Sequence, residues 1–446
     1  MKIILINPKL KDESGFFASQ GVFKKLIAIP AITLPYIAAS TPSEVEVVIW
    51  DETTLRDKIN FNEKPDLVGI TVSTYAASRA YEIADEFRER GVKVVLGGYH
   101  PTIAPEEAKL HADCVVIGEG EDIWLDILDD LKRGKLKEFY KRQSLPDLKN
   151  LPIPSMKLIK RMYTFLGIHV AHIRVSRGCP HNCSFCNVPF LHGRKFRFRP
   201  VEEVINEIKV SGTKIVNFME DNIVGHPEYA KELFEKLIPL KIRWISPSSI
   251  TIANDPELLK LAEKSGCKGV SIGFESISKD GLLELNKFQN LEKDVSNIVR
   301  KLHEHGILVI GSFIIGLDTD DVSIFDKTIN FIRQTNLDFA LPFILIPMPQ
   351  TEIYKKLLSE GRLIKKEWWL GNYYPQEPFY QPKLMTKEEL LNGLIYMIDN
   401  IYSFPSIIKQ VFFKNNSANS KITLLQKFVA LLLNVGYLQL FREQKK

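Results

Sequence analysis

Three of the five cysteines of this 446-residue chain stand on one stretch, Arg177-Gly178-Cys179-Pro180-His181-Asn182-Cys183-Ser184-Phe185-Cys186. The spacing CxxxCxxC puts Cys179, Cys183 and Cys186 on a single loop, directly after the strand-like run Ala171 to Ser176. Three thiolates can bind three irons of a 4Fe-4S cubane, which asks for four ligands, so one iron is left without a protein sulfur. An iron with an open position can chelate the amino and carboxylate groups of a small molecule, as a catalytic metal keeps a place for its substrate. The competing use is a structural zinc site with a fourth ligand from His181 or His192. Zinc sites more often use paired CxxC units, and His181 sits between two of the cysteines, so the cubane is the better reading.

The elements that must position this loop form a βα series from Ile173 to about Pro347. Strand candidates are Ile173 to Ser176, Ile215 to Met219, Trp244 to Ser246, Gly269 to Ile272, Leu308 to Ile315 and Phe339 to Ile346. Helical stretches lie between them, such as Pro200 to Val210 and Pro256 to Lys264, the latter stopped by Gly266. Six βα units predict a partial (β/α)6 barrel, open on one side, with its chemistry at the carboxyl ends of the strands. The cysteine loop follows the first strand at that end.

From Met1 to about Lys141 a separate α/β pattern runs: Ile3 to Ile6, Val45 to Trp50, Leu67 to Thr71, Val92 to Leu96 and Cys114 to Ile117 read as strands. With a helix over roughly Ala77 to Arg90, this predicts a doubly wound parallel sheet whose ligand lies beyond the strands' carboxyl ends. Those ends carry Thr71-Val72-Ser73-Thr74, Gly97-Gly98-Tyr99-His100-Pro101 and Gly118-Glu119-Gly120-Glu121, small and hydroxylated residues that admit a ligand close to the backbone. His100 reads as a hydrogen-bonding loop residue and Cys114 as a buried, inert thiol. Proline-rich Leu145 to Met156 marks a linker. The expected organisation is a first domain at 1–141, a linker at 142–165, the barrel at 166–347 and a mainly helical C-terminal region at 348–446.

Composition narrows the function classes. A net charge of +5, with acids and bases interleaved, asks for no nucleic-acid partner. Arg194, Lys195, Arg197 and Arg199, alternating with Phe196 and Phe198, read as a short strand with one charged face. Clustered cysteines argue for a reducing, cytoplasmic setting rather than a disulfide framework. The N-terminus reads as a first strand and not as a signal peptide. The nearest approach to a membrane span, Ile422 to Phe441, is broken by Gln426, Lys427 and Asn434. It reads as a terminal helix covering a core, with peripheral membrane contact as the alternative.

The cysteine loop, with aromatic Phe185 before the third cysteine, resembles that of the radical S-adenosylmethionine (SAM) superfamily. The GG-x-H-P and GEGE loops resemble the cobalamin-binding domain that precedes the barrel in one large class of that family, which includes hopanoid methylases and the anaerobic Mg-protoporphyrin ester cyclase. The resemblance implies three cofactors: a 4Fe-4S cluster on Cys179, Cys183 and Cys186, SAM and cobalamin. It places SAM against Phe185, Glu220 or Asp221 for the ammonium, Ser248 and Glu275 for the carboxylate and ribose, and the backbone of Ile314 and Gly316 for adenine. It places cobalamin against Thr71, Ser73, Thr74, Gly97, Gly98, Tyr99, His100, Gly118, Glu119, Gly120 and Glu121. No DxHxxG is present, so the lower face of cobalt is expected to be open or capped by a group other than histidine.

The implied activity is reductive cleavage of SAM to a 5'-deoxyadenosyl radical and methylation of an unactivated carbon; radical ring formation or rearrangement is the alternative. The implied partners are a small-molecule or lipid-like substrate and an external electron donor such as a flavodoxin or ferredoxin. Pro347-Met348-Pro349-Gln350-Thr351-Glu352-Ile353-Tyr354 resembles a turn of this class that usually has glycine where Gln350 stands; glycine reaches conformations that glutamine reaches only at a cost, so the loop's backbone shape is left open. The aromatic concentration Trp368, Trp369, Tyr373, Tyr374, Phe379 and Tyr380 points to a hydrophobic substrate.

Overall fold

The uninterrupted apolar runs of the sequence become central strands of two parallel sheets. The computed structural model describes residues 1–9, 32–54, 58–154, 164–165, 168–371, 377–414 and 419–443. Ser155 and Met156 of the linker, and Tyr373 and Tyr374 of the aromatic concentration, lie outside these residues. The chain divides into two compact units: Met1–Ala171 with Phe190–Gly193 and Glu367–Tyr373, and His172–Pro189 with Arg194–Lys366 and Tyr374–Lys446.

The first unit contains β1 (Lys2–Asn7), β2 (Glu46–Asp51), β3 (Leu67–Thr71), β4 (Val94–Gly97), β5 (Cys114–Ile117) and β6 (Phe139–Lys141), in the order β2-β1-β3-β4-β5-β6. All neighbouring pairs are parallel. Ile3, Ile4, Leu5 and Ile6 are buried on both faces, which is why β1 alternates no polar residues. The strand order reverses between β1 and β3, the switch point where a doubly wound sheet opens a crevice at its carboxyl edge.

A segment remote in sequence belongs to the same unit. Trp369 donates its indole N–H to the Glu107 carboxylate (3.0 Å), which also accepts from the Tyr81 hydroxyl (2.7 Å) and His100 Nε2 (2.9 Å). Burial pushes the Glu107 carboxyl up, but the hydrogen bonds from His100 and Tyr81 outweigh it and hold the group below its usual range. A buried indole N–H needs an acceptor, and this carboxylate draws the two tryptophans to the N-terminal unit.

The second sheet contains β7 (Thr164–Phe165), β8 (Ile168–Ile173), β11 (Ile215–Phe218), β12 (Arg243–Ser248), β13 (Cys267–Glu275), β14 (Leu308–Ile315) and β15 (Phe339–Ile344), in the order β15-β14-β13-β12-β11-β8-β7. The pairs from β11 to β15 are parallel, and β7 pairs antiparallel with β8. A two-stranded ribbon of β9 (Ser176–Arg177) and β10 (Arg197–Phe198) stands apart from it. Helices begin and stop on local chemistry: Asp255 accepts from the N–H groups of Glu257 and Leu258 to open Pro256–Ser265, and Thr386 and Glu389 form a reciprocal capping box on Lys387–Ile401.

The two faces of this sheet differ. Trp244 and Phe218 pack edge to face, and Trp244 meets Phe234 of the helix Pro227–Leu237. On the opposite face the register aligns Asn217 with Ile245 and Gly269, then Pro247 with Ser271 and Ile310, then Gly273 with Ser312 and Leu341. Small residues dominate its middle, so this face is open. Ile245 is 46% exposed although its strand lies inside the sheet.

Behind the ribbon, Arg199 and Glu207 form a buried ion pair (2.6 Å), and Arg199 also donates to the Arg174 carbonyl (3.0 Å). Removing one partner strands a charge out of water. Glu207→Ala is expected to lower unfolding free energy by about 3–5 kcal/mol, read from denaturant melts.

Candidate active site

The cysteine loop is tied at both ends and in its middle. Pairing of Arg177 with Arg197 in the ribbon closes its two ends, and Arg199 N–H donates to the Val175 carbonyl (2.9 Å). Ser184, between Cys183 and Cys186, donates N–H to the Leu285 carbonyl (3.0 Å) and Oγ–H to the Glu284 carbonyl (2.9 Å), while its own carbonyl accepts from Ile353 N–H (3.1 Å). Glu352 accepts from the side-chain amides of Asn182 (2.8 Å) and Asn286 (3.1 Å). Two distant segments therefore hold the loop, and neither could be foreseen from CxxxCxxC.

All three thiols are half-buried, and burial raises each pKa, that of Cys186 to about 12. They need a metal's positive charge to become thiolates. Among the described residues, no three His, Cys, Asp or Glu side chains converge on a place for one metal ion. A cubane offers three separate irons and asks for no such convergence, so the donor set fits it.

Around the loop, two acids take different roles. Glu220 is buried and accepts from the N–H groups of Val175 and Ser176 and from Ser176 Oγ. Burial raises its carboxyl to about 7, with the Ser176 and Val175 hydrogen bonds pulling the other way. Its carboxylate thus braces the root of the cysteine loop. Asp221 beside it is exposed.

Glu275 is buried in the left-handed region (φ 66°), a conformation that costs a non-glycine residue roughly 1–2 kcal/mol. Its side chain folds back over Gly273, where an added Cβ would collide with Oε1. Lys287 Nζ meets that oxygen at 3.3 Å. Burial opposes the Lys287 charge, but attraction to the Glu275 carboxylate and to an ionised Cys183 outweighs it and holds its pKa above the usual value. Lys287 carried no motif and sequence reasoning missed it.

The remaining predicted SAM residues sit at strand ends. Ser248 ends β12 and is buried, and Asn222, also missed, accepts from Ser249 N–H (2.8 Å) to tie the ends of β11 and β12 together. Ile314 is buried in β14, and Gly316 follows it at φ 92°, its N–H donating to Asp320 (3.0 Å) and its carbonyl accepting from the Tyr380 hydroxyl. Phe185 is half-buried. Gln350 takes a left-handed conformation (φ 68°), and Thr351 after it caps the helix Glu352–Ser359 by accepting from Tyr354 N–H (3.2 Å). Gln350→Gly is expected to be neutral to stabilising by about 0.5 kcal/mol in thermal melts, because relieved strain slightly exceeds the added unfolded-state freedom.

In the first unit, the expected ligand loops lie together past β3, β4 and β5. Gly98 (φ 96°) lies so close to β3 that a Cβ would come 3.0 Å from Thr71 Oγ1 and from Val72 N. Thr102, absent from the predicted set, joins two loops: its Oγ1 donates to the Gly98 carbonyl (2.8 Å) and accepts from Gly118 N–H (2.9 Å). Ser73 and Tyr99 are exposed, and Thr71, Gly97, Gly118, Gly120 and Glu121 are half-buried, all open to a ligand. Thr74, His100 and Glu119 are buried. His100 is held by Glu107, and Glu119 by His192 Nδ1 (3.1 Å), so these two brace the loops from behind.

Comparison with protein families matches residues 173–332 to the radical SAM superfamily and residues 29–128 to the B12 binding domain. The chain is 31% identical to bacteriochlorophyllide d C-12(1)-methyltransferase of Chlorobaculum tepidum, over 92% of this chain and 89% of the relative. It is 25% identical to hopanoid C-2 methylase of Rhodopseudomonas palustris, over 81% and 71%. Its fold matches that of the radical SAM methyltransferase TsrM from Kitasatospora setae with a TM-score of 0.63 and 16% identity, over 80% of this chain and 75% of that one. The chain belongs to the radical SAM superfamily, in the class with an N-terminal B12 binding domain. It is a cobalamin-dependent radical SAM C-methyltransferase, and its cofactors are a 4Fe-4S cluster, SAM and cobalamin.

Proposed function

We propose that this enzyme methylates an unactivated carbon of a large apolar small molecule, with a tetrapyrrole side chain as the best-supported acceptor. The observation that carries the substrate class is the open face of the second sheet, with Ile245, Pro247, Ile310 and Leu341 around a floor of Gly269, Ser271 and Gly273. An exposed isoleucine on an inner strand is an apolar surface left bare among the described residues. The methyltransferase relatives that act on bacteriochlorophyllide support the same class.

When bound, the reduced cluster supplies the electron that cleaves SAM, and cobalamin carries the methyl group. Cys179, Cys183 and Cys186 hold the cluster. Asp221 answers the SAM ammonium, and Glu220 positions the loop by taking up the N–H groups of Val175 and Ser176. Glu275, fixed by Lys287, and Ser248 face the carboxylate and ribose, and the Ile314–Gly316 backbone faces adenine. The open loops past β3, β4 and β5 take cobalamin, with His100 and Glu119 as bracing groups. The reading also includes an external one-electron donor, such as a flavodoxin or ferredoxin, and a membrane surface met without a spanning segment. Among the described residues no helix is long and apolar enough to cross a membrane.

Lys287→Met leaves Glu275 buried without its cation. It is expected to lower deoxyadenosine release about 10–100-fold while iron content stays unchanged. The substrate reading is tested by incubating anaerobically reconstituted enzyme, reductant and methyl-labelled SAM with the organic extract of a deletion strain. Label is expected in an organic-soluble product whose mass rises by one methyl group. Label confined to water-soluble material sinks the substrate class.

A further inference from the structure

The first half of the terminal helix Leu424–Glu443 buries polar residues and leaves apolar ones bare. The polar residues that interrupt its apolar run point inward. Gln426 donates to the carbonyls of Gly306 (2.7 Å) and Lys268 (3.3 Å), and Asn434, fully buried, donates to the carbonyl of Asp338 (2.9 Å). Five apolar residues of its first half are left bare, Leu424 at 76% exposed, Leu425 57%, Phe428 52%, Val429 43% and Leu432 43%, while Ala430, Tyr437, Leu438 and Phe441 are buried. Their spacing places them along one side of the helix. Phe404 (66% exposed) adds to the bare apolar surface, on the short helix Phe404–Ile408 that packs against the terminal one.

Charge identifies the occupant. Residues 401–446 hold seven Lys and Arg and one acid, Glu443, a net +6; the first 400 residues hold 52 basic and 53 acidic residues, a net −1. The chain's whole positive excess therefore sits on the segment that carries the bare apolar stripe. Lys409 and Lys421 are exposed there, the latter paired with Glu263. A second copy of this chain would set +6 against +6, whereas an anionic bilayer surface offers both the opposite charge and an apolar interior.

We infer that the terminal helix seats this enzyme on anionic lipid surfaces, lying in the interface with Leu424, Leu425, Phe428, Val429 and Leu432 among the acyl chains. The inference deepens the membrane surface of the proposed reading by naming the helix that meets it and the lipid charge it takes; the surface itself stands on exposure and charge.

The test is co-sedimentation of the full-length, cluster-loaded enzyme with vesicles of phosphatidylcholine containing about one-third phosphatidylglycerol. Wild type is expected to sediment with these vesicles, and about 0.5 M salt to weaken binding. L425Q/F428Q, altered only at exposed positions, is expected to lose at least about tenfold in bound-to-free ratio. Equal binding by wild type and variant overturns the inference, as does wild-type binding to neither anionic nor neutral vesicles. Sedimentation velocity supplies the other outcome: a dimer that the double variant dissolves assigns the stripe to self-association and overturns lipid seating. Deoxyadenosine release is measured on the same samples. Its retention beside failed vesicle binding removes the inference and leaves the proposed function standing, and its loss in wild type strikes the catalytic reading alone.

Discussion

Cys183→Ala protein, reconstituted with iron and sulfide under strong reductant, loses cluster absorbance and releases deoxyadenosine at least about 10³-fold more slowly than wild type. The argument is one of ligand count. The loop has three thiols for a cubane that already leaves one iron without protein sulfur, so removing a second protein contact leaves two sulfurs to hold the cluster. The loop itself survives the change, because Ser184, Asn182 and Arg199 make its tethers and Cys183 does not carry them. Cys114→Ala and Cys267→Ala are the controls. Both thiols are buried and pushed by burial up to about 12, and neither lies in the loop. Their loss is expected to cost a little stability and leave SAM cleavage near wild type. Equal loss in all three variants would mean that the thiols matter for packing and not for iron.

Gly316→Ala carries the second large effect. Gly316 has φ 92°, and an added Cβ would stand 2.5 Å from the Tyr380 hydroxyl and 2.7 Å from Leu390 Cδ2. Neither neighbour can yield easily. Tyr380 is fully buried and donates to the Gly316 carbonyl, and Leu390 is buried in the helix Lys387–Ile401. Conformational strain and overpacking together are expected to cost about 3 kcal/mol or more, and to raise the KM for SAM at least about tenfold through displacement of the Ile314–Gly316 backbone. Gly361→Ala separates the two causes. That glycine also has a positive φ (68°), but a Cβ there meets nothing within 4 Å, so only about 1 kcal/mol and no change in KM is expected. Similar damage from the two substitutions would refute the packing account. The readouts are thermal unfolding and SAM titration of deoxyadenosine release.

Much of the architecture was legible because it is written in short-range patterns. The βα alternation predicted both parallel sheets, and Gly266 marked the end of its helix. Gln350, standing where glycine is usual in the class, left the backbone shape of its loop open, and the structure puts it in the left-handed region. What sequence patterns left open are the partners of each polar side chain. Glu220 and Asp221 are adjacent and were equivalent candidates, yet Glu220 is used up by the backbone at Val175 and Ser176 while Asp221 stays exposed. His100, read as a hydrogen-bonding loop residue, bonds to Glu107, and Glu119, which the resemblance placed against cobalamin, bonds to His192, partners that the loops themselves did not name. Lys287, Asn222 and Thr102 had no motif to announce them, and they hold Glu275, the β12 end and the two loops of Gly98 and Gly118.

The sequence alone determined the chemistry of the cluster loop, since ligand number and reach are set by covalent spacing between residues at most seven positions apart. It determined the two α/β sheets for a similar reason, because strand and helix periods are properties of consecutive residues. Only the tertiary structure decided which carboxylate braces the loop and which is free, that Lys287 stands over Glu275, and that the terminal helix turns Gln426 and Asn434 inward while Leu424, Leu425 and Leu432 stay exposed. Those outcomes depend on which groups from elsewhere in the chain arrive to satisfy a buried charge or hydrogen bond, and a buried group takes the nearest partner in space whatever its distance along the chain.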